Sequence, residues 1–88
     1  MNKLIVFLLV ILLTHSSYAQ NIEVCETCSL SSIKEAIIQA NDNDTIIVKK
    51  GIYKEYDIII DKPLTIIGED YPIIDGELKG EIITIRSD

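Results

Sequence analysis

Hydrophobic residues change their spacing once along this chain of 88 residues. From Thr45 onward, short bursts of β-branched residues alternate with turn signals such as Lys50 followed by Gly51. Bursts of about four residues at such close spacing are typical of short strands, and they leave no room for crossover helices. The bursts are centred on isoleucine pairs at 46–47, 58–59, 66–67, 73–74 and 82–83.

Two architectures fit strands that follow one another so closely: a parallel β-solenoid and a small antiparallel fold. Similar bursts begin at Thr45, Leu64 and Ile82. These starts are spaced by roughly one solenoid coil, in which each strand stacks on its equivalent in the next coil. The sequence therefore predicts an all-β fold formed by the first two to three coils of a parallel β-helix, with the antiparallel fold as the alternative.

One helix is predicted before these strands, over residues 32–40. Ser32 with Glu35 three residues later forms a capping box, which marks a helix start. The residues that follow recur at helical spacing and give one apolar stripe. Because the first coil of a solenoid exposes an apolar end, this stripe predicts a capping helix. The stripe consists of Ile33, Ala36, Ile37 and Ala40.

The domain organisation expected from these patterns has three parts. Residues 1–19 are a signal peptide, and 20–44 hold a short strand, the cysteines and the capping helix. Residues 45–88 begin the parallel β-helix. Because no second cap follows the last strand, we expect the chain to be the N-terminal piece of a longer protein or a truncated product.

The leader predicts export. Lys3 supplies a positive charge, residues 4–13 are apolar, and Ala19 is the small residue after which cleavage would leave Gln20 first. A transmembrane helix needs ~20 apolar residues, so this stretch is too short to span a bilayer. We therefore expect an exported protein without a stable membrane span after cleavage.

Composition and charge exclude several functions. The chain has 14 acidic and 8 basic residues, giving a net charge of −6. Its one histidine, His15, lies in the leader, so the mature chain lacks a Ser-His-Asp triad, a histidine metal site and a histidine base. An acidic surface is also a poor partner for nucleic acid.

Cys25 and Cys28 are the only two cysteines and are separated by two residues. In an oxidising compartment such a pair is most simply a small-loop disulfide. Reduced, the two thiolates would suit a soft metal such as Cu(I). A structural zinc site would need four ligands, and the chain offers no further cysteine. The disulfide and the metal site both remain open.

Four stretches carry a resemblance to a known family: DTI at 44–46, GIY at 51–53, KPLTIIG at 62–68 and IDG at 74–76. Together with the leader and the cysteine pair, they resemble the N-terminal part of the NosD family. These are periplasmic maturation proteins of nitrous-oxide reductase within the right-handed parallel β-helix (pectate-lyase-like) superfamily. Where the family has glycine before the first strand, this chain has Asn43, which tolerates a left-handed backbone.

The resemblance implies a right-handed parallel β-helix and a non-enzymatic accessory role. Family members work with an ABC transporter in assembling the copper site of the reductase. Any copper role in this chain would fall on Cys25 and Cys28. The alternative is an exported β-helix protein that acts on or binds polysaccharide. Its candidate carboxylates, which we expect to be solvated turn residues, are Asp57, Asp61, Glu69, Asp70, Asp75 and Glu77.

Overall fold

The computed structural model describes residues 18–86, so nearly all of the predicted leader (residues 1–19) lies outside the described residues. The described part is mostly β, with seven short strands and one short helix. The helix α1 spans Ile33–Gln39. The strands are β1 (Asn21–Val24), β2 (Thr45–Val48), β3 (Ile52–Tyr53), β4 (Ile58–Ile60), β5 (Thr65–Gly68), β6 (Ile73–Ile74) and β7 (Ile83–Ile85).

Within residues 18–86 the strands pair in parallel and form three sheets. The first sheet has the order β1–β2–β5, the second pairs β3 with β6, and the third pairs β4 with β7. From β2 onward the chain therefore visits the three sheets in one order and then repeats that order. The largely β fold was predicted correctly, and the antiparallel alternative is wrong for this part of the chain.

The register corrects one detail of the predicted coil. Thr45 pairs with Thr65, so the equivalence of Thr45 with Leu64 is wrong by one residue. The burst that begins at Ile82 does not continue this sheet, because Ile83 pairs with Ile58 in the third sheet. Isoleucine bursts supply strands to all three sheets, and their composition therefore does not reveal which sheet each strand joins.

The core lies between the inward faces of the sheets and the helix. Side chains alternate along a strand, so Ile46 and Val48 are fully or almost fully buried while Ile47 between them is half-buried. Ile46 pairs in register with Ile22 on one side and Ile66 on the other. The buried apolar set is Val24, Ile33, Ala36, Ile37, Ala40, Ile46, Val48, Tyr53 and Ile58.

The second passage through the sheets is much more exposed than the first. Ile66, which continues the inward column of Ile46, is 40% exposed. Ile83 and Ile85, which pair with residues of β4, are 44% and 76% exposed. Each of these strands has a partner on one side only among residues 18–86. Within residues 18–86, the buried apolar residues are therefore concentrated in β1, β2, β3, β4 and α1.

The helix confirms the predicted start and end. Ser32 is the N-cap, and its hydroxyl accepts a hydrogen bond of 3.3 Å from the Glu35 N–H. Ala40 follows the last turn as the C-cap. The helix packs its apolar stripe against β1, β2 and β4. No helix within residues 18–86 is long and apolar enough to cross a membrane.

Both ends of α1 are held by charged side chains from beyond β3 and β4. The Glu55 carboxylate accepts from the N–H groups of Ile33 and Lys34 at 2.8 and 3.0 Å. The Lys62 ammonium donates to the carbonyls of Ile37 and Ala40, both at 2.8 Å. A carboxylate at the N-terminus and an ammonium at the C-terminus complement the helix dipole. The segments that follow β3 and β4 therefore fix the two ends of the helix.

Tyr53 links β3 to the preceding turn and to β1. Its ring is buried, and its hydroxyl donates to the Lys49 carbonyl at 2.6 Å, with the Val24 carbonyl 3.2 Å away. Burial, reinforced by Glu55 and Glu26, raises the pKa of the phenol, which keeps it neutral.

We expect Tyr53→Phe to lower the free energy of unfolding by about 1 kcal/mol, because the carbonyls lose a buried donor. Urea unfolding of the two proteins, followed by circular dichroism, measures this difference. Tyr71→Phe is the matched control, since Tyr71 is 95% exposed and its substitution should change stability little. Equal losses in the two variants would contradict a specific role for the Tyr53 hydroxyl.

Candidate functional site

The two cysteines lie in a tight turn directly after β1. Cys25 and Cys28 are joined by a disulfide, with their Cα atoms 5.0 Å apart. The Cys28 N–H donates to the Cys25 carbonyl at 3.2 Å, and the Cys25 N–H donates to the Leu30 carbonyl at 3.2 Å. Leu30 also forms a parallel bridge with Val24. Backbone contacts therefore close this turn independently of the sulfur–sulfur bond.

The two sulfur atoms have different surroundings. The Thr27 hydroxyl oxygen lies 3.7 Å from Cys25 Sγ, and it must be the donor because a disulfide sulfur carries no hydrogen. Cys28 lines an open surface groove together with Thr27, Asn21 and Glu23. Both cysteines are half-buried. Cys28 therefore borders the groove, while Cys25 has the Thr27 hydroxyl beside its sulfur.

The predicted copper role depends on the oxidation state of this pair. As a disulfide, neither Cys25 nor Cys28 is a thiolate, and the thiolate is the form that binds metal. After reduction, two sulfur ligands held in one turn meet the minimal requirement of the soft Cu(I) ion. Within residues 18–86, no group of three or more histidine, cysteine or acidic side chains is arranged to hold a metal ion. Copper binding thus stays a prediction for the reduced pair alone.

The predicted cleavage residues Ala19 and Gln20 are exposed and immediately precede β1. The backbone N–H of Gln20 donates to Asp44 Oδ1 at 2.8 Å. The Thr45 N–H donates to the Gln20 carbonyl at 2.8 Å and extends the β1–β2 pairing by one residue. Gln20 is therefore part of the folded sheet edge.

Asp44 is the buried charge of this region, with a residue exposure of 2%. Its second carboxylate oxygen accepts from the Asn41 N–H at 2.8 Å. These bonds from Gln20 and Asn41, helped by Lys62, hold the pKa of Asp44 below its ordinary value despite burial. In the sequence, Asp44 stood out as the first residue of the DTI stretch that carries the family resemblance. Asn43 beside it has φ 71°, the left-handed conformation expected of the residue that replaces glycine.

The lowered pKa of Asp44 predicts an acid-dependent stability. Since the folded state binds this proton less readily than the unfolded state, the contribution is present above about pH 3.8 and is lost as the pH falls toward the folded pKa. Asp44→Asn should flatten this part of the stability curve, whereas Asp42→Asn, at an exposed neighbour, should not. Urea unfolding between pH 2 and pH 6 tests the contrast. Parallel curves for the native chain and Asp44→Asn would contradict it.

The carboxylates of the polysaccharide alternative lie between the strands. Asp57, Asp70 and Glu77 have φ values of 53°, 57° and 54°, in the left-handed region. Asp75 accepts from the Glu77 N–H at 2.9 Å, a local turn contact. The left-handed backbone accounts for aspartate at positions 57 and 70, because its short side chain tolerates this conformation. The bond to the Glu77 N–H accounts for Asp75. Asp61 and Glu69, the other two candidates, are exposed residues that lie outside the strands.

Comparison of the chain with models of known protein families, with curated proteins and with solved structures found no match in any of the three.

Proposed function

We propose that this chain is an exported, non-enzymatic accessory factor of the NosD type, whose described residues form the first coils of a right-handed parallel β-helix. One observation carries the architecture: β2, β3 and β4 are followed in the same order by their parallel partners β5, β6 and β7. The helix α1 covers the first coil, as a solenoid cap does. The sequence resemblance supports the family, and the repeated order of sheets supports the fold.

The proposed role is in assembling the copper site of nitrous-oxide reductase in the periplasm, together with an ABC transporter. The support is the resemblance in sequence and a paired sulfur site in the first turn of the fold. Copper would be cargo that this chain holds briefly, because two sulfur ligands leave a soft ion accessible to a receiving protein. The backbone bonds that close the turn beside β1 would keep the two sulfurs together during transfer.

Reduction must precede copper binding at this pair. A dithiol reductant supplies two electrons and two protons: its two thiols become a disulfide, and Cys25 and Cys28 become thiols. Cys28 lines the surface groove, and we expect the reductant to attack its sulfur. Cys25 then leaves as the thiolate, with the Thr27 hydroxyl placed to donate to it. Because backbone contacts also close the turn, the two thiols stay adjacent after reduction.

Anaerobic titration of the reduced, exported chain with Cu(I), against a chromophoric chelator, tests this proposal. We expect one equivalent to bind tightly, with protection of both thiols from alkylation. The double variant Cys25→Ser/Cys28→Ser should lose at least about 100-fold in affinity, because a hydroxyl is a poor ligand for a soft ion. Ser29→Ala, in the same turn, is the matched control and should bind as the parent does.

Two results would contradict the copper role. Unchanged Cu(I) affinity in the double variant would remove the cysteines from the site. Failure of the fully reduced parent to compete with the chelator would make the pair a structural disulfide beside the helix. Thiol counting before each titration establishes which oxidation state is present.

A further inference from the structure

We propose that Asp44 is the receptor for the new α-ammonium group that forms when the leader is removed between Ala19 and Gln20. The nitrogen that would carry this charge is already placed in the structure, 2.8 Å from Asp44 Oδ1. Signal cleavage would then do more than release the chain, since it would create an ion pair between Gln20 and Asp44 beside the start of β1. The inference rests on the predicted cleavage position and not on the copper role.

The chemistry at the nitrogen is a peptide hydrolysis. A peptidase adds water across the bond between Ala19 and Gln20, so that Ala19 gains a carboxylate and the Gln20 nitrogen gains protons. At neutral pH the α-amino group is mostly protonated. The donor to the Asp44 carboxylate therefore changes from a neutral N–H to a cation at the same position, which adds a direct attraction between opposite charges.

The residues around the Gln20 nitrogen and the Asp44 carboxylate can accommodate the new ammonium group. Tyr18 is 77% exposed and Ala19 is exposed, so removing these two residues opens no cavity in the core. The Gln20 carbonyl is fixed by the Thr45 N–H, which holds the nitrogen in register with Asp44. The carboxylate is itself fixed by the Asn41 N–H. Both partners are therefore positioned before the charge appears.

Asp44 occupies the junction of three elements. Its carboxylate contacts the residue before β1 and the turn after α1, and its own backbone leads directly into β2. Lys62, which caps the end of α1, is the other cation that acts on it. An additional positive charge at Gln20 would thus tighten the attachment of β1 to the sheet and of the helix to the strand. Removal of the leader would in this way increase the stability of the part of the fold formed by β1 and α1.

A double-mutant cycle tests the inference on the chain exported with its own leader. One change inserts Gly-Ser between Ala19 and Gln20, so that the mature chain starts two residues earlier and the Gln20 nitrogen stays a neutral amide. The other change is Asp44→Asn. With Asp44 present, we expect the insertion to raise the unfolding equilibrium constant about 5- to 30-fold. In the Asp44→Asn background it should change that constant less than about twofold.

A second measurement guards against loss of folding in Asp44→Asn. The α-amino group of the exported parent should titrate above its ordinary pKa of about 7.7–8.0, whereas the inserted chain should show the ordinary value. Ordinary titration in both chains, or equal stability of both, would overturn the pairing. Intact mass provides the other decisive result. A mature N-terminus other than Gln20, or a Gln20 that has lost ammonia by cyclisation, would overturn the inference while leaving the copper proposal untouched.

Discussion

Ile58→Ala is expected to lower the free energy of unfolding by roughly 2–5 kcal/mol, which is a large part of the stability of a domain of this size. Ile58 has no exposed surface, lies at the start of β4 and pairs with Ile83. The helix packs on this strand, so truncation leaves a cavity beneath the cap. Equilibrium unfolding in urea, followed by far-ultraviolet circular dichroism, measures the loss.

The neighbouring residue provides a matched control. Ile59 has the same side chain on the same strand but faces outward and is 40% exposed. Ile59→Ala should cost less than about 1 kcal/mol, because much less surface leaves the core. Similar losses in the two variants would contradict the assignment of inward and outward faces on β4.

Glu55→Gln is expected to lower the free energy of unfolding by about 2 kcal/mol. The Glu55 carboxylate accepts from two N–H groups of α1 and from the Ser32 hydroxyl, at 2.8–3.1 Å. Glutamine keeps the size but removes the charge, and its amide nitrogen cannot accept hydrogen bonds. The estimate reflects charged hydrogen bonds and a favourable position at the helix N-terminus. Thermal and urea unfolding measure it together with helix content.

Glu35→Gln is the decisive comparison, because Glu35 is the acidic residue that the capping box predicts to stabilise the helix start. Glu35 is exposed, and the helix N–H groups of Ile33 and Lys34 are bonded to Glu55. Its substitution should therefore cost less than about 0.5 kcal/mol. A larger loss at Glu35 than at Glu55 would show that the helix start is stabilised locally and not by the strands.

Much of the fold could be predicted because its signals are local. The spacing of Ile33, Ala36 and Ile37 predicts one face of a helix, and Ser32 predicts where that helix begins. β-branched bursts between turn residues predict where the strands lie. The left-handed turn at Asn43 was likewise expected from the conformational tolerance of asparagine. In each case, the signal comes from residues that lie close together in the sequence.

The candidate site could be predicted only in part. The cysteine spacing predicted a paired sulfur site, and the structure describes it as a disulfide closed additionally by backbone bonds. The unequal surroundings of Cys25 and Cys28 depend on Thr27 and on a groove shared with β1, which no spacing rule reveals. Nor could the sequence show that the predicted cleavage residue Gln20 contacts Asp44, since 23 residues lie between them.

The sequence by itself determined the elements of this protein: one short capped helix and a series of short isoleucine-rich strands. It also showed an excess of acidic residues and a single histidine, which lies in the predicted leader. The tertiary structure alone decided which strands pair and which side chain binds the start of the helix. It placed the last strand beside Ile58 and not beside Ile66, and it brought Glu55 to the helix start in place of Glu35. The physical reason is the same throughout. Local periodicity reports which faces are apolar, whereas pairing depends on where turns of unequal length return the chain in space.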